Sequence, residues 1–367
     1  MKKILKLGFV GGGIDSGIGQ THFEAMRLYT NFQLVAGCFS LNKKNNLKSG
    51  MKYGIDKSRV YSSVKELLHN EKSLDAIVLL TPVSSKYEIL TQILKYKIPI
   101  ISEKPLVENK SQIKLIKKNF PKSKITITFN YTGYPMVREI KNMVKKNVIG
   151  NLKKIFIEMP SAPYITRKST RLSIAKWRLV DKAIPTIYLD LATHILHLIQ
   201  FLTGKKFKNV VAQSGTDGKF NVVDDVMCFG EMSQKLKYNI WFSKSAHGYD
   251  NGLKIRLFGT NGSVFWKQID PEILTHNTQD NETKILRRGN TQLKIANQKR
   301  YNTFKSGHPK GYCEAFGNLY LDIFNSLKNN KLSNKSNYLS SILDMEMILD
   351  VLEGIKKSAK SKKWEKI

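Results

Sequence analysis

The sequence is poor in cysteine, proline and acidic side chains, and it has no long apolar run. Its three cysteines are widely separated and odd in number, which argues against a disulfide framework and fits a reducing compartment. With only 10 prolines and 41% hydrophobic residues, the chain is too apolar for a disordered polyelectrolyte. No stretch approaches the roughly 18 uninterrupted apolar residues of a membrane span, so an integral membrane protein is excluded.

The shortage of acidic residues leaves a large positive charge. Sixty-one Lys and Arg face 29 Asp and Glu, a formal net charge of +32. The basic residues are mostly lysine and are spread through every segment, whereas nucleic-acid-binding proteins usually concentrate charge on one face and favour arginine. A lysine-biased surface therefore explains the charge better than a nucleic-acid partner, and an anionic cofactor or substrate remains an open alternative.

Residues 1–10 begin with basic and then apolar residues, as an export signal does. The apolar stretch is interrupted by Lys6 and runs into Gly11, without a small-residue cleavage site. A buried parallel strand that ends in a glycine turn accounts for it better. We therefore predict no export signal and a cytoplasmic protein.

Apolar strands alternate with helices over the first 130 residues, which predicts a parallel, doubly wound sheet of five or six strands. Beyond Asn130 the strands are joined by short turns, such as Asn261-Gly262, which predicts antiparallel pairing. We expect a Rossmann-type α/β dinucleotide-binding domain at 1–130. An α+β domain with a large, mainly antiparallel open sheet is expected at 131–367, for substrate binding and oligomerisation. A strongly apolar helix is predicted at about 187–202, and the basic segment 356–366 is predicted to fray.

A glycine-rich loop follows the first predicted strand and opens a helix, the context of a dinucleotide fingerprint. Gly11 would permit the tight turn, Gly13 would let backbone N–H groups approach a pyrophosphate, and Gly19 would let the helix pack on the strand. A strict GxGxxG would place its third glycine at Ser16, so the choice of Gly19 implies three extra loop residues. An ordinary glycine-rich turn is the alternative.

The end of the second predicted strand bears on the choice of coenzyme. An acid there would bind both ribose hydroxyls of NAD, and residues 39–44 contain none. Ser40 and Asn42 can accept either ribose, whereas Lys43 and Lys44 favour a 2′-phosphate. We predict NAD or NADP as cofactor, with a mild preference for NADP.

Two further motifs carry titratable side chains. Glu103-Lys104-Pro105 ends a predicted strand where open α/β sheets bind ligands, so Lys104 is placed to hold a substrate oxygen or move a proton. Asp190 and His194 stand at i and i+4 of a helix, as a carboxylate orienting a general acid/base does. A metal site with His197 and a buried structural histidine are the alternatives; no further acid or Cys cluster supports a metal, and we predict none.

Together these features resemble the Gfo/Idh/MocA family (glucose–fructose oxidoreductase, inositol dehydrogenase and MocA) of NAD(P)-dependent oxidoreductases. The resemblance spans nearly the whole chain. The matching motifs, in chain order, are the glycine loop through His22, Thr81-Pro82, Glu103-Lys104-Pro105, Asn130-Tyr131, Trp177-Arg178, Asp190-x3-His194 and Gly259-Thr260-Asn261-Gly262. Two departures are Lys86, where many members have a histidine, and His197, where aspartate is frequent.

The resemblance implies hydride transfer between nicotinamide and a hydroxyl or keto carbon of a sugar, sugar nucleotide or cyclitol, in a cleft between two domains. It gives His194 the acid/base role, Lys104 the substrate oxygen, and Asp190 either the orientation of His194 or a second hydroxyl. The implied cofactor contacts are Gly11, Gly13, Gly19, Ser40, Lys43, Thr81, Pro82, Glu103, Lys104, Trp177 and Arg178. The implied substrate contacts are Lys104, Asn130, Tyr131, Asp190, His194 and His197.

The predicted partners are a small sugar-like substrate and further copies of the chain, as a dimer or tetramer, with no nucleic acid and no membrane. Two other functions stay open. One is a non-catalytic regulator that senses a dinucleotide on the same scaffold, and the other is a glycoside hydrolase that uses NAD transiently.

Overall fold

A computed structural model of the chain describes residues 3–166, 174–329 and 338–367. The chain divides into two compact units: Met1–Gly133 with Gly311–Glu346, and Tyr134–Lys310 with Met347–Ile367. In this division, residues 311–346 fold with the first unit although they lie far along the chain. The functional domains at 1–130 and 131–367 stay a prediction.

The first unit contains a five-stranded parallel sheet, which confirms the predicted doubly wound α/β fold. Its order is β2-β1-β3-β4-β5. The strands are β1 (Leu5–Gly11), β2 (Phe32–Cys38), β3 (Ala76–Leu80), β4 (Ile100–Glu103) and β5 (Ile125–Thr128). A central strand such as β3 is buried along its whole length, as its continuous apolar sequence requires. The prediction allowed five or six strands; among the described residues this sheet has five, and Val60, after β2, makes only an isolated bridge to Gly37.

Helices connect these strands: α1 (Gly17–Leu28), α2 (Lys43–Lys52), α3 (Val64–Asn70), α4 (Val83–Leu94) and α5 (Lys110–Asn119). Four of them begin at a Ser or Asn whose side chain accepts a hydrogen bond from a backbone N–H in the first turn. Of these, α1, α2 and α5 begin a few residues after the carboxyl ends of β1, β2 and β4. This is the edge of the sheet at which open α/β folds bind ligands.

The second unit is built on a nine-stranded sheet, as the α+β prediction required. Its order is β13-β12-β11-β10-β6-β9-β8-β7-β14, and all neighbours are antiparallel except the parallel pair β6 and β9. The strands are β6 (Lys154–Pro160), β7 (Phe207–Gly215), β8 (Asp225–Met232), β9 (Leu236–Ser243), β10 (Lys254–Phe258), β11 (Gly262–Lys267), β12 (Ile273–Thr278), β13 (Thr283–Arg287) and β14 (Glu365–Lys366).

The apolar segment predicted as one helix contains two kinds of helix. Tyr188–Ala192 is a π-helix, called the π-segment below, and α7 (Thr193–Thr203) follows it directly. The other helices are α6 (Pro135–Lys145), α8 (Tyr312–Lys328) and α9 (Ile342–Ser361). In the described ranges, no helix is both long and apolar enough to cross a membrane.

The basic segment near residue 360 does not fray, contrary to prediction. Helix α9 continues to Ser361, and Glu365 and Lys366 then pair with Val210 and Asn209 of β7. Backbone pairing at a sheet edge needs no apolar side chains, so lysine content alone is a poor guide to such a strand.

Candidate functional site

The glycine loop after β1 packs directly against α1. A Cβ added at Gly19 would lie 2.1 Å from the carbonyl oxygen of Gly12, so only glycine allows this approach. Gly12 has a φ of +73°, in the left-handed region that favours glycine. Its carbonyl accepts a hydrogen bond of 2.7 Å from the Tyr53 hydroxyl. The loop thus presents the start of α1, where N–H groups without an intrahelical partner favour an anion such as a pyrophosphate.

The three extra loop residues, 14–16, are held in place by α2 and α1. The backbone N–H of Ile14 donates to Ser49 Oγ at 3.0 Å, and Asn45 Nδ2 donates to Asp15 Oδ2 at 2.7 Å. Ser16 caps α1 by accepting from the Gly19 N–H. The insertion is therefore a hydrogen-bonded part of the loop.

The turn after β2 has no acid in front of α2. Asn46 Oδ1 accepts from the N–H groups of Phe39 and Ser40, at 2.7 and 3.3 Å. Lys43 is the first residue of α2 and is exposed. A Cβ at Gly13 would lie 3.1 Å from the Phe39 carbonyl oxygen, so the glycine loop and this turn are adjacent.

Two buried polar atoms near the carboxyl ends of β3 and β5 suit a bound ligand. Within the described part of the chain, Thr81 Oγ1 and Asn130 Nδ2 have no hydrogen-bond partner. An unsatisfied buried polar atom costs about 1–3 kcal/mol, which a ligand could offset. Pro82 precedes α4, Tyr131 is buried beside Asn130, and a Cβ at Gly11 would lie 2.9 Å from the Thr81 nitrogen. With the glycine loop, these residues fit a dinucleotide.

A buried network in the first unit holds Glu103, the residue before Lys104. The Glu103 carboxylate accepts from Thr128 Oγ1 at 2.8 Å and lies 3.4 Å from His22 Nε2. His22 Nδ1 is in turn 2.7 Å from the Tyr320 hydroxyl on α8. Burial alone would raise the pKa of Glu103, but the hydrogen bond and charge of His22, together with the charges of Lys104 and Lys86, hold the pKa below its ordinary value. The carboxylate is therefore ionised at neutral pH.

Lys86 on α4 contacts the same turn through its side chain. It is 1% exposed and lies on the buried stripe of the helix with Leu90. Its Nζ donates to the carbonyl oxygens of Glu103 and Pro105, at 2.5 and 2.9 Å. Burial lowers the pKa of Lys86 to about 7, in spite of the negative charge of Glu103. Lys104, between these two carbonyls, is half-buried.

Asp190 occupies the π-segment and holds two cations. Its Oδ2 accepts from Lys244 Nζ at 2.7 Å and from Arg178 Nε at 3.0 Å. Asp190 and His194, at i and i+4, would lie on one face of an α-helix. The wider turn of the π-segment changes the angle between their side chains. His194 follows in the first turn of α7 and is half-buried. Because π-turns are rare and occur often at functional sites, the segment supports a functional role for Asp190.

Tyr164 connects the two cations around Asp190. Its hydroxyl donates to the Arg178 carbonyl oxygen at 2.9 Å and accepts from Lys244 Nζ at 3.4 Å. Burial, reinforced by the charge of Asp190, raises the pKa of Tyr164, so the phenol stays protonated. The Arg178 guanidinium carbon lies 4.4 Å from the centroid of the Trp177 ring, which places these two predicted cofactor contacts together.

His197 is buried and stacked on Phe201, with ring centroids 6.3 Å apart. Among the residues that the structure describes, no group of three or more His, Cys, Asp or Glu could hold a metal ion. A substrate contact by His197 stays a prediction.

No role was predicted from sequence for Lys86, His22, Thr128 or Tyr320. One signal was present for Lys86, because it shares the apolar stripe of α4 with Leu90 at i+4. His22 and Tyr320 are 298 residues apart, and no local pattern indicates their contact.

Family models match both units of the fold. Residues 5–131 match the model described as an oxidoreductase family with an NAD-binding Rossmann fold, and residues 137–265 match the GFO/IDH/MocA C-terminal domain. The fold and these matches define an NAD-binding oxidoreductase. The chain belongs to the Gfo/Idh/MocA family, as the order of its motifs indicated.

Individual relatives agree with this assignment. The chain is 28% identical over 337 residues to YfiI, an uncharacterized oxidoreductase of Bacillus subtilis, which covers 88% of this chain and 85% of that protein. The crystal structure of an oxidoreductase from Sinorhizobium meliloti is similar with a TM-score of 0.86 at 28% identity, covering 99% and 100% of the two chains. An inositol dehydrogenase homolog from Azotobacter vinelandii, solved with NAD+, has a TM-score of 0.90 at 21% identity, covering 100% and 98%.

Proposed function

We propose that the protein transfers hydride between a nicotinamide cofactor and a hydroxyl or keto carbon of a sugar, sugar nucleotide or cyclitol. The observation that carries the proposal is the turn around Lys104, a half-buried lysine whose two neighbours are fixed by Lys86. An exposed structural lysine would need no such support. An inositol dehydrogenase homolog from Azotobacter vinelandii, solved with NADH and myo-inositol, has the same fold, and this likeness supports a polyhydroxylated substrate for the present chain.

The cofactor would be held by the glycine loop, the turn after β2 and the buried polar atoms of Thr81 and Asn130. A nicotinamide dinucleotide, when bound, accepts or donates a hydride at its ring. Glu103, Lys104, Trp177 and Arg178 stay predicted cofactor contacts.

The chain's own residues would then handle the proton and the substrate oxygen. His194 removes the proton from the reacting hydroxyl, and Lys104 holds that oxygen as it gains negative charge. Asp190, whose Oδ2 is bound by Lys244 and Arg178, serves as a fixed acceptor for a second hydroxyl or orients His194. Asn130, Tyr131 and His197 stay predicted substrate contacts, and a cytoplasmic location stays a prediction.

A preference for NADP is part of the proposal. It rests on Lys43 and Lys44 at the start of α2, where the first turn has no acid and the helix dipole also favours an anion. Steady-state kinetics with both coenzymes test it. Replacement of both lysines by alanine should lower the NADP to NAD ratio of kcat/KM, and a parental ratio would rule out the assignment.

The test of the function is a spectrophotometric screen. Purified protein is assayed at 340 nm against cyclitols, aldoses and sugar nucleotides with NAD and NADP, in both directions. We expect turnover with at least one class. Cofactor binding without turnover would instead indicate a dinucleotide-sensing regulator. Cleavage of a glycoside without net NAD(P)H change would indicate the hydrolase, and failure to bind either coenzyme would refute all three.

Valine at Gly19 should abolish tight coenzyme binding. The added Cβ would start 2.1 Å from the Gly12 carbonyl oxygen and would push α1 from the loop. We expect an affinity about 100-fold weaker, equivalent to about 2.8 kcal/mol of lost contacts, by calorimetric titration. Gly17→Ala is the matched control for folding, because its Cβ meets no atom within 4 Å and should leave the melting temperature unchanged. Parental coenzyme affinity in Gly19→Val would contradict the assigned loop.

We also propose a dimer or tetramer formed through the open face of the second unit's sheet. Met227 and Phe229 of β8 point away from the buried face and are 56% and 52% exposed. Adjacent exposed apolar side chains are typical of a protein interface. Light scattering coupled to gel filtration should give a multiple of the chain mass, and Phe229→Lys should shift it toward the monomer. A monomeric parent protein would exclude this interface.

A further inference from the structure

Lys86 is a charged side chain in an apolar place. It points from the buried stripe of α4 into the first unit and is 1% exposed. A lysine at such a position loses its hydration, which is costly unless polar partners replace the water. Methionine or leucine would fill the same stripe without that cost. The partners of Lys86 therefore indicate what the lysine does there.

Those partners are two backbone carbonyls, one on each side of Lys104. Nζ of Lys86 donates to the carbonyl oxygen of Glu103 at 2.5 Å and to that of Pro105 at 2.9 Å. One ammonium group thus fixes the peptide that precedes Lys104 and the peptide that follows Pro105. Lys104 and Pro105 lie between these two peptides, so the backbone that carries the Lys104 side chain is held at both ends.

The opposite side of the turn is held independently. The Glu103 side chain is bound by Thr128 on β5 and contacts His22 on α1, which contacts Tyr320 on α8. The main chain and the side chain of Glu103 are therefore anchored to different helices and strands. Among these contacts, those of Thr128 and His22 end at Glu103, whereas Lys86 also binds the Pro105 carbonyl on the far side of Lys104.

We propose that Lys86 is a positioning residue that sets the orientation of Lys104 by holding the peptide before Lys104 and the peptide after Pro105. This inference rests on the proposed function, in which Lys104 holds the substrate oxygen. A misplacement of about 1 Å at a reacting group can lower the rate about 100-fold. A fixed turn can therefore outweigh the free-energy cost of burying Lys86.

The hydrogen bonds do not depend on the charge of Lys86. Burial and the nearby Lys104 lower its pKa to about 7, and Glu103 opposes them, so both protonation states occur near neutral pH. The ammonium has three N–H donors and the neutral amine has two, enough for the two carbonyls.

The test uses Lys86→Met, which keeps the volume but loses both donors, and Lys86→Gln, which keeps an amide donor without the charge. In Lys86→Met we expect kcat to fall about 10- to 100-fold while coenzyme affinity stays within about threefold. In the cofactor-free protein, amide hydrogen exchange in a peptide covering residues 100–108 should become about tenfold faster relative to a peptide from β1. Lys86→Gln should recover part of both losses.

Leu90→Ala is the control, because it loosens the same stripe of α4 without touching the turn. A fall in kcat as large as that of Lys86→Met would mean that general loosening of α4 explains the effect, and it would overturn the proposal. So would a kcat within twofold of the parent in Lys86→Met. If Lys86→Met does not fold, kcat and amide exchange are both measured on Lys86→Gln instead. If no substrate is found, the proposed function fails by itself, and unchanged exchange at 100–108 would still overturn the positioning role.

Discussion

Replacement of Lys104 by methionine should lower kcat by about 10²–10⁴-fold, the range for loss of a positioned acid/base or charge-stabilising group. Methionine keeps the length and the apolar part of the side chain but removes the N–H donors and the charge. The backbone contacts made by Lys86 do not involve the Lys104 side chain, so the turn should keep its conformation. Coenzyme affinity, measured by fluorescence titration, should therefore fall much less than kcat, because the other predicted cofactor contacts remain.

His194→Gln supplies the companion measurement. If Lys104 and His194 serve one step, the double variant should be little worse than the more damaged single variant, because groups that act as a unit are not additive. Lys95→Met, at an exposed position just after α4, is the matched lysine control and should behave as the parent. A Lys104→Met enzyme with parental kcat would refute the assigned site and leave the family assignment untouched.

Strands with a strong apolar signal were predictable from sequence. The strand β3 is an example, because five consecutive apolar residues followed by Thr81-Pro82 permit few alternatives. β12 and β13 were not predicted. Most of their residues are partly or fully exposed, so their sequences lack the alternation that marks a half-buried strand. Their place in the sheet is fixed by backbone pairing with β11, which a local pattern does not encode.

Motifs of the site were predictable where the chain itself sets the spacing. The glycine loop is such a case, because Gly12 and Gly19 must meet at the start of one helix. The hydrogen-bond network around the Glu103 side chain was not predictable, because it joins α1, β5 and α8 through tertiary packing. Lys86 was noticed as a departure from the family pattern, yet its function depends on two carbonyls 17 and 19 residues away.

The contacts of Asp190 were likewise not predictable from sequence. Spacing along a helix pairs it with His194, but the π-segment widens that turn and its carboxylate binds Lys244, 54 residues later. Lys244 comes directly after β9, and only the folded sheet brings it to the π-segment. The charge balance around the Asp190 carboxylate is thus a property of the fold.

Asparagine at Asp190 should destabilise the second unit strongly. Asp190 and Lys244 are 12% and 5% exposed at the side chain and 2.7 Å apart, so the substitution leaves a buried ammonium without its carboxylate. Breaking a buried pair from one side typically costs about 3–5 kcal/mol. We expect a loss of that size in the free energy of unfolding, measured by urea denaturation at pH 7. Lys244→Met should also destabilise, because it removes the more buried of the two cations that contact the carboxylate.

The double variant Asp190→Asn/Lys244→Met separates pairing from packing. Without either charge, the desolvation penalty disappears, so the double variant should be more stable than the sum of the two single losses predicts, by about 1–3 kcal/mol of coupling. Arg178→Met is the control: its side chain is 37% exposed and solvent screens its contact with Asp190, so it should cost under about 1 kcal/mol. Strictly additive single and double variants would mean that Lys244 and Asp190 are neighbours without energetic coupling, and Asp190 would then be free to exchange partners during turnover.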